Sequence, residues 1–160
     1  LAIGDIHGCD VALETLLDSV QPTKDDTVVV LGDVVDRGPD SKRSIDLLLG
    51  LKQECRLKVI MGNHEEMMLN ALRTGDWMDD WLQFGGRETI DSYGGSIKDV
   101  PIGHLEFLAA GLPLWDTPTE IYVHANLDPF APLRLQSPEW LRWERLRGTE
   151  LPHSSGRPVI

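Results

Sequence analysis

Cysteine is scarce in this chain, and cations are outnumbered. Its 160 residues hold two cysteines, Cys9 and Cys55, too few for a disulfide framework and without zinc-site spacing. Neither is followed six residues later by the arginine a cysteine nucleophile needs to hold a phosphate; position 15 is Thr and position 61 is Met. That excludes cysteine-based phosphoryl chemistry, and free thiols suit a reducing, cytoplasmic setting. Lys and Arg number 15 against 26 Asp and Glu, a formal net charge of −11. Such a surface repels phosphate backbones, so no nucleic-acid partner is expected. A phosphate-bearing substrate remains open, because bound cations can reverse the field inside one pocket. No apolar run approaches the roughly 20 residues that cross a bilayer, so no membrane partner is expected. Repeats, low-complexity tracts and linkers are also missing, and residues 1–160 read as one domain. The first residues, "LAIGD", already read as a strand and the last, "GRPVI", as the start of another. Both ends therefore read as cut from a longer chain, and the lack of a targeting segment decides nothing.

What is present is a rhythm. Four apolar segments each end in small and polar residues: "LAI" before Gly4-Asp5, "TVVVL" before Gly32-Asp33, "LKVIM" before Gly62-Asn63, and "IYV" before His124. β-Branched runs of this kind suit strands covered on both faces. Helical patterns lie between them. "DVALETLLDSV" offers Asp10 as an N-cap, and "SKRSIDLLLGLKQE" offers Ser41. "EEMMLNAL" follows the third strand, and "SPEWLRWERLR" starts with Ser137 as N-cap and Pro138 at the first helical position. Alternating strand and helix predicts an α/β fold, whose ligands collect beyond the carboxyl ends of the strands.

Those ends carry the chemistry: Asp5 and His7, then Asp33, Asp36 and Arg37, then Asn63 and His64, then His124. One Gly-Asp after a strand is ordinarily a turn, and one histidine ordinarily bonds a nearby carbonyl. Four strand ends alike are another matter, because the sheet gathers them. Carboxylate, imidazole and amide oxygen make a donor set for Mn, Fe, Zn or Mg rather than soft copper. An aspartate can bridge two ions about 3.5–4 Å apart.

"GDIHG", "GDVVDRG" and "GNHE" resemble the three signature motifs of the metallophosphoesterases, in particular the serine/threonine protein phosphatase branch with its small bacterial and phage members. "VHAN" is similar to that family's next histidine motif and "WER" to its later arginine motif, so the resemblance runs from residue 1 to about 147. It implies mixed β-sheets in a central sandwich flanked by helices. It also implies two divalent ions, with Mn the first choice for assay. Asp5, His7 and bridging Asp33 would hold the first ion; Asp33, Asn63 and His124 would hold the second. His64 would be the general acid, oriented by Asp36, while Arg37 and Arg145, with Asn63, would grip the phosphate. The implied reaction is direct in-line attack by a hydroxide shared between the ions. The family's further Gly-His, which supplies another histidine to the second ion, has no counterpart before Ile160; His153 reads as a loop histidine and His104 as a surface one.

The expected substrate is a phosphorylated protein or small phosphomonoester. A diadenosine polyphosphate hydrolase is the first alternative, although that group usually has a non-acidic residue where this chain has Asp36. A phosphatase acting on nucleotide or RNA ends shares the acidic version. A metal-bound scaffold without catalysis stands last, since it needs no acid. Trp77 and Trp81 (i, i+4) and Trp140 and Trp143 (i, i+3) are expected to pack in pairs on helix faces. The functional reading of the tryptophans is an aromatic wall at the cleft, with "DWMDDWLQFGG" forming part of its rim.

Overall fold

The computed structural model describes residues 1–160. Three parallel strands lie side by side in the order β1 (Ala2–Ile3), β2 (Thr27–Val30), β3 (Arg56–Val59). Ala2 pairs with Val29 and Ile3 with Val30, while residues 27–30 of β2 pair in step with 56–59 of β3. Val28, Val29 and Val30 are all buried, as a strand covered on both faces requires. Helix α1 (Asp10–Val20) links β1 to β2, and α2 (Ser41–Glu54) links β2 to β3. After β3 come α3 (Asn63–Thr74), α4 (Met78–Trp81), a π-helical turn (Leu82–Gly86), α5 (Arg87–Ser92) and α6 (Ile102–Ala109). A second, antiparallel sheet pairs β4 (Trp115–Asp116) with β5 (Ile121–Tyr122), and α7 (Pro138–Arg142) follows. "GRPVI" forms no named strand; Val159 makes one isolated parallel bridge to Ile121 of β5.

The main core joins the sheet to α2, α3 and α6 through Val28, Val30, Ile45, Leu48, Met68 and Leu108; a small satellite of Ile121, Val123, Leu127 and Leu141 lies beneath α7. Full burial of each such aliphatic side chain is worth about 1.5–3 kcal/mol. No helix is long and apolar enough to cross a membrane.

Three local expectations need correction. Helix α1 begins at Asp10 itself, after Cys9, and the Asp10 carboxylate pairs with Arg43 at 3.2 Å. The N-cap of α2 is Asp40, whose side chain accepts from the Arg43 N–H at 2.7 Å; the Ser41 hydroxyl turns instead to the Asp36 N–H and Thr89. His104 is buried, not on the surface: its ring bonds the Tyr93 hydroxyl at 2.8 Å and Asp46 at 3.1 Å. With both nitrogens satisfied, burial carries no polar penalty. Burial also pushes the Tyr93 hydroxyl pKa up, keeping it a proton donor.

Candidate functional site

The three loops that leave the parallel sheet are stitched to one another. Ile6 and His7 both donate backbone N–H to the Asp33 carbonyl, at 3.0 and 2.8 Å, and Gly8 donates to Val34 at 2.9 Å. Four residues here have left-handed backbones: His7 (φ 47°), Asp33 (φ 50°), Asp36 (φ 73°) and Arg37 (φ 69°). Each such conformation costs about 1–3 kcal/mol, so it persists only where neighbours dictate it. Glu65 supplies that constraint. Buried in the first turn of α3, its carboxylate accepts N–H groups from Gly62 and Asp33 at 2.9 Å and from Val34 at 2.7 Å. Gly62 must be glycine, since a Cβ there would stand 2.2 Å from Asp33 Oδ1.

Three imidazoles converge with their Nδ1 atoms already committed. His7 Nδ1 bonds the Val35 carbonyl (2.9 Å), His124 Nδ1 the Leu31 carbonyl (2.8 Å), and His64 Nδ1 the buried Asp36 carboxylate (2.7 Å). The carbonyl partners force the proton onto Nδ1 of His7 and His124, so their Nε2 atoms are free to donate an electron pair. Asp33 lies between: Oδ2 is 3.6 Å from His7 Nε2, and Oδ1 is 3.4 Å from His124 Nε2. Asp5 Oδ2 is 3.9 Å from His7 Nε2. Two ligand-like groups result, His7 with Asp33 and His64, and Asp5 with Asp33 and His124; Asp33 is common to both. Asp5 thus faces the His124 side as well as its neighbour His7.

The donor chemistry fits divalent ions: the carboxylates of Asp5 and Asp33 and the imidazoles of His7 and His124 converge with Asp33 common to both groups. The Asn63 amide lies 3.1 and 3.2 Å from the Asp33 oxygens and 3.1 Å from His124 Nε2, and with its NH2 turned toward them it donates to these acceptors. Arg37 is placed differently from the expectation of a pure phosphate ligand. Its guanidinium bonds His7 Nε2 and His64 Nε2, both at 2.9 Å. An ion on His7 and this bond to His7 exclude each other.

Around these groups is a cleft of about 420 Å³, lined also by Arg142, Trp143 and Arg145. Hollows of about 720 and 750 Å³ lie elsewhere, between α1 and α2 and beside Arg87, but neither contains the converging imidazoles. All the expected site residues meet at this cleft or, for His7 and Asp36, directly behind it. Arg145 is on its exposed wall. His153 stays apart, bonded to Ser155 and the Ala131 carbonyl. The tryptophan pairs split: Trp81 is buried against Asp36, while Trp77 packs edge-on against Trp143, with ring centroids 5.9 Å apart. Phe84, from the "DWMDDWLQFGG" segment, is on the rim. Sequence reasoning missed Glu65, Thr89 and Arg142, of which only Glu65 had a signal, as the last letter of "GNHE"; it singled out Trp81 as a packing or cleft-wall aromatic and not as a partner of Asp36.

Comparison with known proteins agrees with this arrangement. The family profile described as calcineurin-like phosphoesterase matches residues 1–153. Over 85 residues the chain is 38% identical to serine/threonine-protein phosphatase 1 of Salmonella typhimurium, covering 52% of this chain and 37% of that protein. Over 165 residues it is 28% identical to a symmetrical bis(5'-nucleosyl)-tetraphosphatase of Janthinobacterium, covering 93% of this chain and 56% of that protein. A crystal structure provisionally described as a diadenosine tetraphosphatase superposes with a TM-score of 0.67 at 26% identity, over 88% of this chain and 56% of the other. The chain therefore spans about half the length, or less, of the relatives it matches.

Proposed function

The chain belongs to the calcineurin-like phosphoesterase family, and from that premise we propose that it hydrolyses phosphomonoesters as a serine/threonine protein phosphatase. The observation that carries the choice is the 2.7 Å bond between His64 and Asp36. An alkoxide leaving from phosphoserine must be protonated, and a histidine backed by a carboxylate is suited to that task. With Nδ1–H held toward Asp36, and once Arg37 turns from Nε2 to the phosphate, a His64 protonated at Nε2 as well can give that proton to the departing oxygen and remain neutral. Divalent ions held by Asp5, His7, Asp33, Asn63 and His124 would supply an activated water and neutralise phosphate charge. Arg37 is exposed and within reach of both His7 and His64, so its fork can pass to the phosphate oxygens. Arg145, which lines the same cleft, would complete the grip.

The relative that matches 93% of the chain favours a second reading, hydrolysis of dinucleoside tetraphosphates. There the leaving group is itself a phosphate, stable without a proton, and the His64–Asp36 pair is less needed. Assaying the Mn-loaded protein on a phosphoserine peptide and on diadenosine tetraphosphate separates the two. We expect kcat/KM to be higher on the peptide. Preference for the dinucleotide would overturn the protein phosphatase reading.

A further inference from the structure

We propose that Trp81 and Thr89 are positioning residues that aim His64 by fixing the Asp36 carboxylate, an inference that rests on the acid role given to His64 above. Asp36 is fully buried, and a buried carboxylate must have its lone pairs met. Oδ2 accepts from His64 Nδ1 at 2.7 Å; Oδ1 accepts from the Thr89 hydroxyl at 2.7 Å; and the Trp81 indole N–H lies 3.0 Å from both oxygens. Three donors in different directions fix the plane of the carboxylate, and the imidazole takes the position left over. Thr89 does more than fill space. Its hydroxyl also accepts the Asp36 backbone N–H at 2.9 Å, holding the residue's main chain and side chain together. That closed ring explains how Asp36 keeps a left-handed backbone.

The supporting segment is itself tightly built. Trp81 and Thr89 are both fully buried, and they flank the π-helical turn. A Cβ on Gly86 would stand 2.5 Å from the Trp81 ring, so the turn closes directly over the indole. Gly85, at φ 116°, accepts the Arg37 backbone N–H at 3.2 Å. The same turn thus braces Asp36 from one side and Arg37 from the other. A tryptophan serving only as filler would need any partner for its N–H; here the partner is the group that orients the acid.

The test uses Thr89→Val, which keeps shape and loses the hydroxyl, Thr89→Ser, which keeps the hydroxyl, and Trp81→Phe. Each Mn-loaded protein is assayed on a phosphoserine peptide and on 2,4-dinitrophenyl phosphate, whose leaving group needs no proton. Thr89→Val and Trp81→Phe are expected to lower kcat on the peptide about ten- to a hundredfold with KM little changed, and to lower it less than about threefold on the aryl ester. Thr89→Ser recovers most of the peptide activity. Equal losses on both substrates, or no loss on either, would overturn the proposal. Proton NMR reads the bond without turnover: the wild-type protein should show a downfield His64 Nδ1–H signal, absent in His64→Asn. That signal should move or broaden in Thr89→Val and persist in Thr89→Ser. An unmoved signal in Thr89→Val overturns the positioning role even if the protein proves to hydrolyse neither ester.

Discussion

Glu65 does not line the cleft, yet the loops that carry the candidate site are arranged around it. Its two oxygens accept from Gly62, Asp33 and Val34, with Val35 more distant at 3.3 Å. Burial, and then the charge of Asp33, push its carboxyl pKa up to about 7, while the backbone N–H bonds pull it down. In Glu65→Gln one oxygen becomes an NH2 group that must face backbone N–H donors. The expected loss is about 1–3 kcal/mol of stability, read as a lower urea midpoint, together with weaker Mn binding as Asp33 loses its support. An unchanged midpoint would show that the amide finds the same partners. The pH dependence has a definite sign. A carboxyl raised in the folded state contributes stability below its unfolded pKa and loses it as pH rises through about 7. Metal-free wild-type protein should therefore lose more stability between pH 5 and 8 than Glu65→Gln. The conspicuous donors, from Asp5 to His124, were legible because each is a polar residue closing an apolar run. Glu65 was visible but mute, since its partners are main-chain amides some 30 residues away. Trp81 and Thr89 gave less, because they reach Asp36 across 45 and 53 residues.

Helix α7 shows how a tertiary contact edits an element. "SPEWLRWERLR" reads as one longer helix, and its start is as expected, with Ser137 capping and Pro138 at the first position. The helix nevertheless ends at Arg142, because Glu66 on α3 takes the Arg142 guanidinium on one oxygen and the Trp143 indole N–H, at 2.8 Å, on the other. Residues 143–146 then run along the cleft wall, bringing Arg145 there. The long helices α1, α2 and α3 were legible from periodicity, since their apolar stripes meet the sheet. Short elements such as α4 and the π-helical turn were not, because packing against the Arg37 loop sets their shape and their own composition does not. Glu66→Gln keeps the size of the side chain and removes its charge. It should loosen the α3–α7 link and raise KM for a phosphopeptide severalfold, about 1 kcal/mol, with kcat nearly unchanged. The Trp143 contribution to fluorescence reports the same release. Unaltered KM would mean that α7 holds Arg145 in place without Glu66.

At the scale of the whole molecule, a strongly acidic surface, of formal charge −11, surrounds a cleft in which arginines stand among acids, Arg37, Arg142 and Arg145 beside Asp5, Asp33 and Glu144. Composition showed the acidity; the α/β class followed from the order of strands and helices. The arginines were half hidden, because the contact of Arg142 with Glu66, 76 residues away, has no signal in the sequence. The two fields act over different distances. Contacts between a guanidinium and phosphate are short and only partly screened, whereas the repulsion felt on approach extends across many ångströms and weakens beyond a Debye length of about 10 Å at 0.1 M salt. An acidic phosphopeptide should therefore approach more slowly than a basic one bearing the same phosphoserine, and the difference should be largest at low ionic strength. With Mn saturating, kcat/KM for the basic peptide is expected to exceed that for the acidic peptide at 20 mM salt by about tenfold. The ratio should fall toward unity at several hundred millimolar, as the acidic peptide gains rate and the basic one loses it. Mn affinity should decline over the same series, because the field that repels the peptide attracts the cation. A peptide ratio that stays constant with salt would place the discrimination in direct contacts at the rim, around Phe84 and Trp143, and remove the long-range field from the account.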